Sequence, residues 1–168
     1  AMNAARDVLA DMWSSHETHP HIKPTRKTYR IILAAFAKRR GPETGEEAFE
    51  VLREMWERYT KEEEESLSPC RQCYNSVMRA WKKTRDRDTA IMIESIFMEM
   101  WQRYSVNTTL YLKPDEECVE IVAKAWMKSN CTDAAENAER IRSGNWTIGT
   151  ADERHEVSPI HETPADEL

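Results

Sequence analysis

Glycine, cysteine and long apolar runs are all scarce in this chain, which has four glycines and four cysteines among 168 residues. No run approaches the roughly 18 consecutive apolar residues of a membrane span, so we expect no membrane partner. No signal or transit peptide is visible at the start. The few, irregularly spaced cysteines do not resemble a disulfide framework, and they favour a reducing compartment.

Catalytic signatures are also missing. The sequence shows no nucleophile–base pairing, no glycine-rich phosphate loop and no paired-carboxylate motif, so we expect neither an enzyme nor a cofactor. Cys70 and Cys73 form a CxxC pair without the further ligands of a zinc site. Thr28 and Cys118 are the repeat equivalents of Cys73, which indicates a packing position. Three histidines lie together in a polar linker: His16, His19 and His21. We predict no metal site.

The feature that organises the chain is a repeat with a period of 45 residues. Shifting the stretch from Pro69 to Pro114 back by this period places Tyr74 on Tyr29. The same shift superposes further pairs, which are Pro69 on Pro24, Ala80 on Ala35, Glu99-Met100-Trp101 on Glu54-Met55-Trp56, Arg103 on Arg58 and Tyr104 on Tyr59. The opposite shift superposes Trp81 on Trp126 and Trp101 on Trp146. A fixed period of this size is typical of stacked supersecondary units.

Apolar residues recur at helical spacing, which predicts seven helices. The helix over residues 4–15 corresponds to the second helix of a repeat whose first helix is absent, so we expect a fragment of a longer solenoid or an unusual N-terminal cap. Each later repeat has a helix A followed by a helix B. The predicted units are a truncated repeat with its linker (1–24), three repeats (25–69, 70–114 and 115–146) and an acidic tail (147–168).

The predicted fold is all-α, a right-handed α-α superhelix of antiparallel hairpins. A single hairpin cannot bury its own apolar face, so neighbouring hairpins must stack, and exposed repeat ends can self-associate. Thr25 is the predicted cap of the first helix A, and Thr44 with Glu47 is a predicted capping box for the first helix B. The stripes begin with Tyr29, Ile32, Leu33 and Phe36 in the first helix A, and with Ala48, Val51, Leu52, Met55, Trp56 and Tyr59 in the first helix B.

Several segments resemble the pentatricopeptide repeat family. They are TYRIILAAFAK at 28–38, CYNSVMRAWKK at 73–83, AFEVLREM at 48–55, and the closing LSP and LKPD. The resemblance covers residues 4–146, although the period of 45 exceeds the family's period of about 35. The extra residues lengthen helix B and the loop after it. A tetratricopeptide-type unit is the nearest alternative.

This resemblance implies binding of single-stranded RNA in a groove lined by helices A, in a mitochondrion or plastid. It implies a code of one base per repeat, carried by Arg30 with Cys70 and by Asn75 with Asp115. Only the second pair matches a combination of the family, a uracil-like one, and Glu120 places a carboxylate in the third repeat. Asp115 as a helix cap and Asn75 as a solvated residue on an exposed face are the alternatives. The candidate RNA-binding residues are Arg26, Lys27, Arg30, Arg71, Gln72, Asn75, Arg79, Lys82 and Asp115.

Charge is unevenly distributed although the net charge is −6. Residues 25–40 carry six basic and no acidic side chains, and residues 70–87 carry six basic side chains and one acidic. Residues 43–65 carry ten glutamates against three basic side chains, and the third helix A is more acidic than the first two. A groove lined by the first two helices A would therefore attract phosphates. It would equally suit an acidic peptide, so a protein–protein scaffold that binds a peptide or helix in the same groove is the alternative function.

Overall fold

The computed structural model describes residues 4–39, 41, 43–81, 85–108, 111–144 and 146. Over these residues the chain forms seven α-helices, one short 3-10 helix and no strand, which confirms the all-α prediction. The α-helices are α1 (Ala4–Thr18), α2 (Arg26–Lys38), α3 (Thr44–Glu62), α4 (Arg71–Trp81), α5 (Arg87–Val106), α6 (Glu116–Lys128) and α7 (Ala134–Arg142); the 3-10 helix is Glu65–Leu67. Among the described helices, none has the length and apolarity needed to cross a membrane.

Helix α4 is the centre of the packing. The helices after α1 form three hairpin pairs whose two members contact each other, namely α2 with α3, α4 with α5, and α6 with α7. The first helices of successive pairs also pack together, so that α4 contacts both α2 and α6. The second helix of each pair contacts the first helix of the next, as α3 does with α4 and α5 with α6. Equivalent surfaces of α2, α4 and α6 therefore lie next to one another.

The apolar stripes form the core largely as the periodicity predicts. In α2, all four predicted stripe residues are buried, with Tyr29 and Leu33 fully so. The aromatic residues at the ends of stripes, such as Trp81 and Tyr104, are only partly buried. In α7 the prediction is displaced, because Ala134 is buried where Ala135 was expected. The buried residues of α7 are Ala134, Ala138 and Ile141.

The starts of α2 and α6 follow capping chemistry, whereas the start of α3 does not. Thr25 is the N-cap of α2, as predicted, and its backbone N–H donates to Thr28 Oγ1 at 3.2 Å. Asp115 caps α6 by accepting a bond from the backbone N–H of Cys118 at 3.1 Å. The predicted capping box at Thr44 is wrong. The N-cap of α3 is Glu43, so Thr44 already lies inside the first turn, where it is buried and its hydroxyl has no partner among the described residues.

A chain of buried polar contacts joins the pair α2–α3 to the pair α4–α5. Trp56 Nε1 donates to the hydroxyl of Tyr74 at 2.8 Å, and that hydroxyl donates to Glu99 Oε1 at 3.0 Å. Arg103, one turn after Glu99, bonds the same carboxylate oxygen at 2.8 Å and lies over the Trp56 ring, with its guanidinium carbon 4.1 Å from the centroid. One contact chain thus satisfies the polar groups of Trp56 and Tyr74 that this junction buries.

The same contact chain occurs one repeat earlier. Trp13 donates to the hydroxyl of Tyr29 at 3.1 Å, and Tyr29 donates to Glu54 at 3.2 Å. Arg58 lies over the Trp13 ring at 4.2 Å. Tyrosine, glutamate and arginine each recur after 45 residues, so the sequence period marks equivalent surroundings in the structure.

The contact chain ends at the third junction, because Val119 stands where Tyr29 and Tyr74 stand in the earlier repeats. Trp101 instead packs edge-on against Trp146, with ring centroids 4.8 Å apart. Trp146 also contacts Phe97 at 5.1 Å, and its Nε1 donates to the carbonyl of Ile141 at 2.9 Å. Trp146 therefore covers the apolar side of α5.

Candidate binding surface

The exposed residues of α2, α4 and α6 form what we call the A-helix surface. The repeat places Lys27, Gln72 and Glu117 at equivalent positions on the three helices, and all three are exposed. The surface is defined by Lys27, Arg30 and Ile31 of α2, Gln72 and Arg79 of α4, and Glu116, Glu117 and Lys124 of α6. Its composition changes from basic and apolar on α2 to predominantly acidic on α6.

The Arg26 side chain connects α2 by hydrogen bonds to the segment that leads into α4. Its Nε donates to the carbonyl of Ser68 at 2.7 Å, and its Nη2 donates to the carbonyl of Glu65 at 2.8 Å. The guanidinium carbon also lies 4.6 Å from the centroid of the Tyr111 ring. The Arg26 side chain is therefore occupied by contacts within the protein.

Arg71, the repeat equivalent of Arg26, does the same for the segment before α6. Its Nη1 donates to the carbonyl of Lys113 at 2.9 Å, and its Nε pairs with Asp115 Oδ2 at 2.9 Å. Both arginines were predicted to line the groove, and this role was not predicted. Their identical repeat position, two residues after a proline, was the signal that could have revealed it.

Asn75 lies in the junction between α4 and α6, and its exposed fraction is 2%. Its Nδ2 donates to Glu117 Oε2 at 3.1 Å, and its Oδ1 accepts a bond from the Cys118 thiol at 3.1 Å. The expectation that Asn75 occupies an exposed helix face is wrong, because α6 packs over that face. Asn75 and Asp115, the predicted base-reading pair, lie close together, since the Cys118 thiol contacts a side-chain oxygen of each.

The electrostatics of this junction follow from its hydrogen bonds. Partial burial acts to raise the pKa of Asp115, but the bonds from the Cys118 thiol and backbone N–H, together with nearby Arg71, outweigh it and hold that pKa below its ordinary value. Burial raises the pKa of Cys118 to about 12. Asp115 is therefore an ionised helix cap, and Cys118 remains a protonated donor.

Of the remaining candidate RNA-binding residues, three stay exposed and unbonded. Lys27, Arg30 and Gln72 make no side-chain hydrogen bond or ion pair within the part of the chain that the structure describes. Arg79 is exposed but donates to Glu117 across the junction of α4 and α6. Lys82 lies outside the described residues.

The acidic end of the A-helix surface forms an open depression of about 410 Å³. Its lining is Arg79, Glu116, Glu117, Glu120, Ile121 and Lys124. Arg142 donates to Glu120 at 2.8 Å and lowers the pKa of that carboxyl. Two of the three glutamates are thus paired with arginines, Glu117 with Arg79 and Glu120 with Arg142.

Cysteines and histidines do not gather into a metal site here. Across the described ranges, no group of three or more histidine, cysteine or acidic side chains is placed to hold an ion. His16 contacts the carbonyl of Pro20 at 3.1 Å, and His19 and His21 pack edge-on with ring centroids 5.9 Å apart. Cys70 and Cys73 are buried free thiols.

Comparison with protein-family models, curated proteins and solved structures finds no match. Inference about function therefore depends on the A-helix surface itself and on the sequence segments described above.

Proposed function

We propose that this chain is a non-catalytic helical-repeat module, built as a right-handed superhelix of hairpins similar to pentatricopeptide repeats, that binds a protein segment on its A-helix surface. The recurrence of the Trp–Tyr–Glu–Arg contacts at two successive junctions supports a repeated architecture. In such architectures, adjacent equivalent helices provide one extended surface for a partner.

The observation that carries the proposal is the change of charge along this surface. At the α2 end, Lys27 and Arg30 are exposed and flank the exposed side chain of Ile31, which is 62% accessible. At the α6 end, Glu116, Glu117 and Glu120 line the depression. A uniformly negative polymer that runs the length of the surface would be attracted at one end and repelled at the other.

The complementary partner is a peptide or helix with acidic residues at one end, an apolar residue near Ile31 and basic residues at the other end. Complementary charge fixes the orientation of a bound segment and speeds its association. Burial of the partner's apolar residue against Ile31 contributes hydrophobic binding free energy that charge alone does not supply.

Single-stranded RNA is the second candidate. The exposed, unpaired side chains of Lys27, Arg30 and Gln72 favour it, since a short RNA lying over α2 and α4 would meet no acidic residue of α6. Against it, Arg26 and Arg71 are bonded to carbonyls, and Asn75 is buried.

Selection from a displayed library of random peptides, followed by titration of the selected peptides, would test the proposal. We expect the selected sequences to share an acidic end and a basic end. The double variant Lys27→Glu with Arg30→Glu should weaken their binding at least tenfold by reversing the charge at one end. Arg53→Glu, on the exposed side of α3, is the matched control and should leave binding unchanged.

Titration of a labelled oligouridine at two salt concentrations provides the opposing outcome. RNA binding would appear as binding at about 150 mM salt that falls steeply as salt rises and that the same double variant abolishes. If these results are obtained and no peptide is selected, the protein-binding proposal is wrong and RNA binding replaces it.

A further inference from the structure

Two thiols meet at the first turn of α4. Cys70 directly precedes the helix and Cys73 lies in its first turn, and their Sγ atoms are 3.6 Å apart. Cys70 retains 4% exposure, whereas Cys73 is fully buried and contacts Met55, with 3.9 Å between the two sulfur atoms. The first thiol of the pair is thus nearer to solvent, and the second lies behind it.

The other repeats show that this helix start does not require two thiols. Thr25 and Thr28 occupy the equivalent positions before and in α2, and the N–H of Thr25 donates to the Thr28 hydroxyl. Asp115 occupies the equivalent position before α6. Oxygen-bearing side chains therefore perform the capping in the first and third repeats, and only the second repeat carries a CxxC pair.

The surroundings of the pair give its two sulfurs different chemistry. The hydrogen bond between the two thiols, the backbone N–H groups of Cys73 and Gln72 and the charge of Arg30 lower the pKa of Cys70, against burial. The same thiol bond, together with burial, raises the pKa of Cys73. Cys70 is therefore the thiol of the pair that ionises more readily and attacks first.

We propose that Cys70 and Cys73 form a thiol–disulfide exchange site that reacts with low-molecular-weight disulfides of the glutathione class. The Cys70 thiolate attacks one sulfur of the small disulfide, which forms a mixed disulfide and releases one small thiolate. Cys73 then loses its proton and attacks the Cys70 sulfur, which forms the Cys70–Cys73 disulfide and releases the second small thiolate. The two protein thiols are oxidised, and one small disulfide is reduced to two thiols.

This site is independent of the protein-binding proposal, since neither cysteine belongs to the A-helix surface. The sulfurs must approach by about 1.5 Å to reach bonding distance.

The full-length chain, equilibrated in buffers of glutathione and glutathione disulfide, would test the proposal after acid trapping and peptide mass analysis. We expect the peptide that contains Cys70 and Cys73 to lose two hydrogens as the buffer becomes oxidising. Cys118, whose buried thiol stays protonated, should remain unmodified in the same samples. The proposal is wrong if Cys131, which is more exposed, becomes fully glutathionylated while the CxxC pair stays reduced.

Single-residue variants distinguish the formation of the mixed disulfide from its resolution by Cys73. Cys73→Ser removes the second nucleophile, so a mixed disulfide should accumulate on Cys70. Cys70→Ser should slow modification of Cys73 at least tenfold, and modification at the wild-type rate would overturn the assigned order. The matched control combines Cys70→Thr with Cys73→Thr, which copies Thr25 and Thr28 of the first repeat. It should keep the helical circular dichroism of the wild type, and its corresponding peptide should lose no hydrogens in the same buffers.

Discussion

At the scale of single residues, this protein shows how buried polar groups hold adjacent repeats in register. The Tyr74 hydroxyl is fully buried, yet it accepts from Trp56 and donates to Glu99. Burial and the nearby carboxylate raise the pKa of Tyr74, so the hydroxyl keeps its proton and remains a donor. An unpaired polar group at the same depth would cost about 1–3 kcal/mol.

Tyr74→Phe tests this contact. The change removes one hydroxyl and leaves Trp56 Nε1 without an acceptor, so we expect the free energy of unfolding to fall by about 1–3 kcal/mol. Urea denaturation followed by tryptophan fluorescence would measure it. Tyr104→Phe is the control, because Tyr104 is partly exposed and its hydroxyl makes no bond within the described residues. Equal losses in the two variants would contradict the role assigned to Tyr74.

At the scale of elements, the start of each helix A is where the repeats are joined. Asp115 caps α6 and also pairs with Arg71, which bonds the carbonyl of Lys113. Arg26 makes the corresponding contacts with Ser68 before α4. Each helix A therefore holds the segment that begins the next helix A, which fixes the spacing of successive hairpins.

Variants of Asp115 separate capping from charge. Asp115→Ala removes the acceptor for the Cys118 N–H and should lower stability by about 1 kcal/mol. Asp115→Asn keeps an acceptor and loses only the ion pair with Arg71, so its loss should be smaller. Urea denaturation of the three proteins gives both differences, and equal losses in the two variants would rule out a cap.

The pH dependence of the Asp115→Asn difference has a defined sign. The pKa of Asp115 is lowered in the folded protein, so its ionised form adds stability above the unfolded pKa of about 4, and this stability disappears as the pH falls through the folded pKa. The difference between wild type and Asp115→Asn should therefore be complete at pH 7 and smaller at pH 3. Denaturation curves at both pH values would show this, and a difference that grows in acid would contradict it.

At the scale of the whole molecule, the repeat weakens toward its C-terminal side. The polar contact chain of the first two junctions is replaced at the third by stacking of Trp146 on Trp101 and Phe97. Trp146 thus covers the apolar side of α5 through edge-on ring contacts. An uncovered end of a stack of repeats presents apolar surface to other molecules.

Trp146→Ser tests whether this ring protects the apolar side of α5. Loss of its aromatic contacts should lower the free energy of unfolding by about 1–2 kcal/mol. It should also increase concentration-dependent self-association, which sedimentation velocity would detect. Ile31→Ser is the control, because Ile31 is exposed on the A-helix surface and does not belong to the buried core. A Trp146→Ser protein that is as stable and as monomeric as the wild type would contradict the role assigned to Trp146.

The binding surface was harder to predict than the fold. Lys27, Arg30 and Gln72 are exposed, in keeping with their place in a predicted groove, whereas Arg26, Arg71 and Asn75 contact other parts of the chain about 42 residues away. Residue type and helical position alone do not distinguish an arginine that faces solvent from one that bonds a neighbouring carbonyl. The tail at 147–168 lies outside the described residues.

The sequence by itself determined the helices, their apolar stripes and the 45-residue period, because burial of a helix face is imposed by spacing along one segment. Only the tertiary structure decided which polar groups remain available for a partner. Those groups depend on what the adjacent repeat places opposite them: Glu117 and Cys118 of α6 bury Asn75, and carbonyls in the connecting segments bond Arg26 and Arg71. A buried polar group must find such a partner, and the packing of neighbouring helices determines where that partner lies.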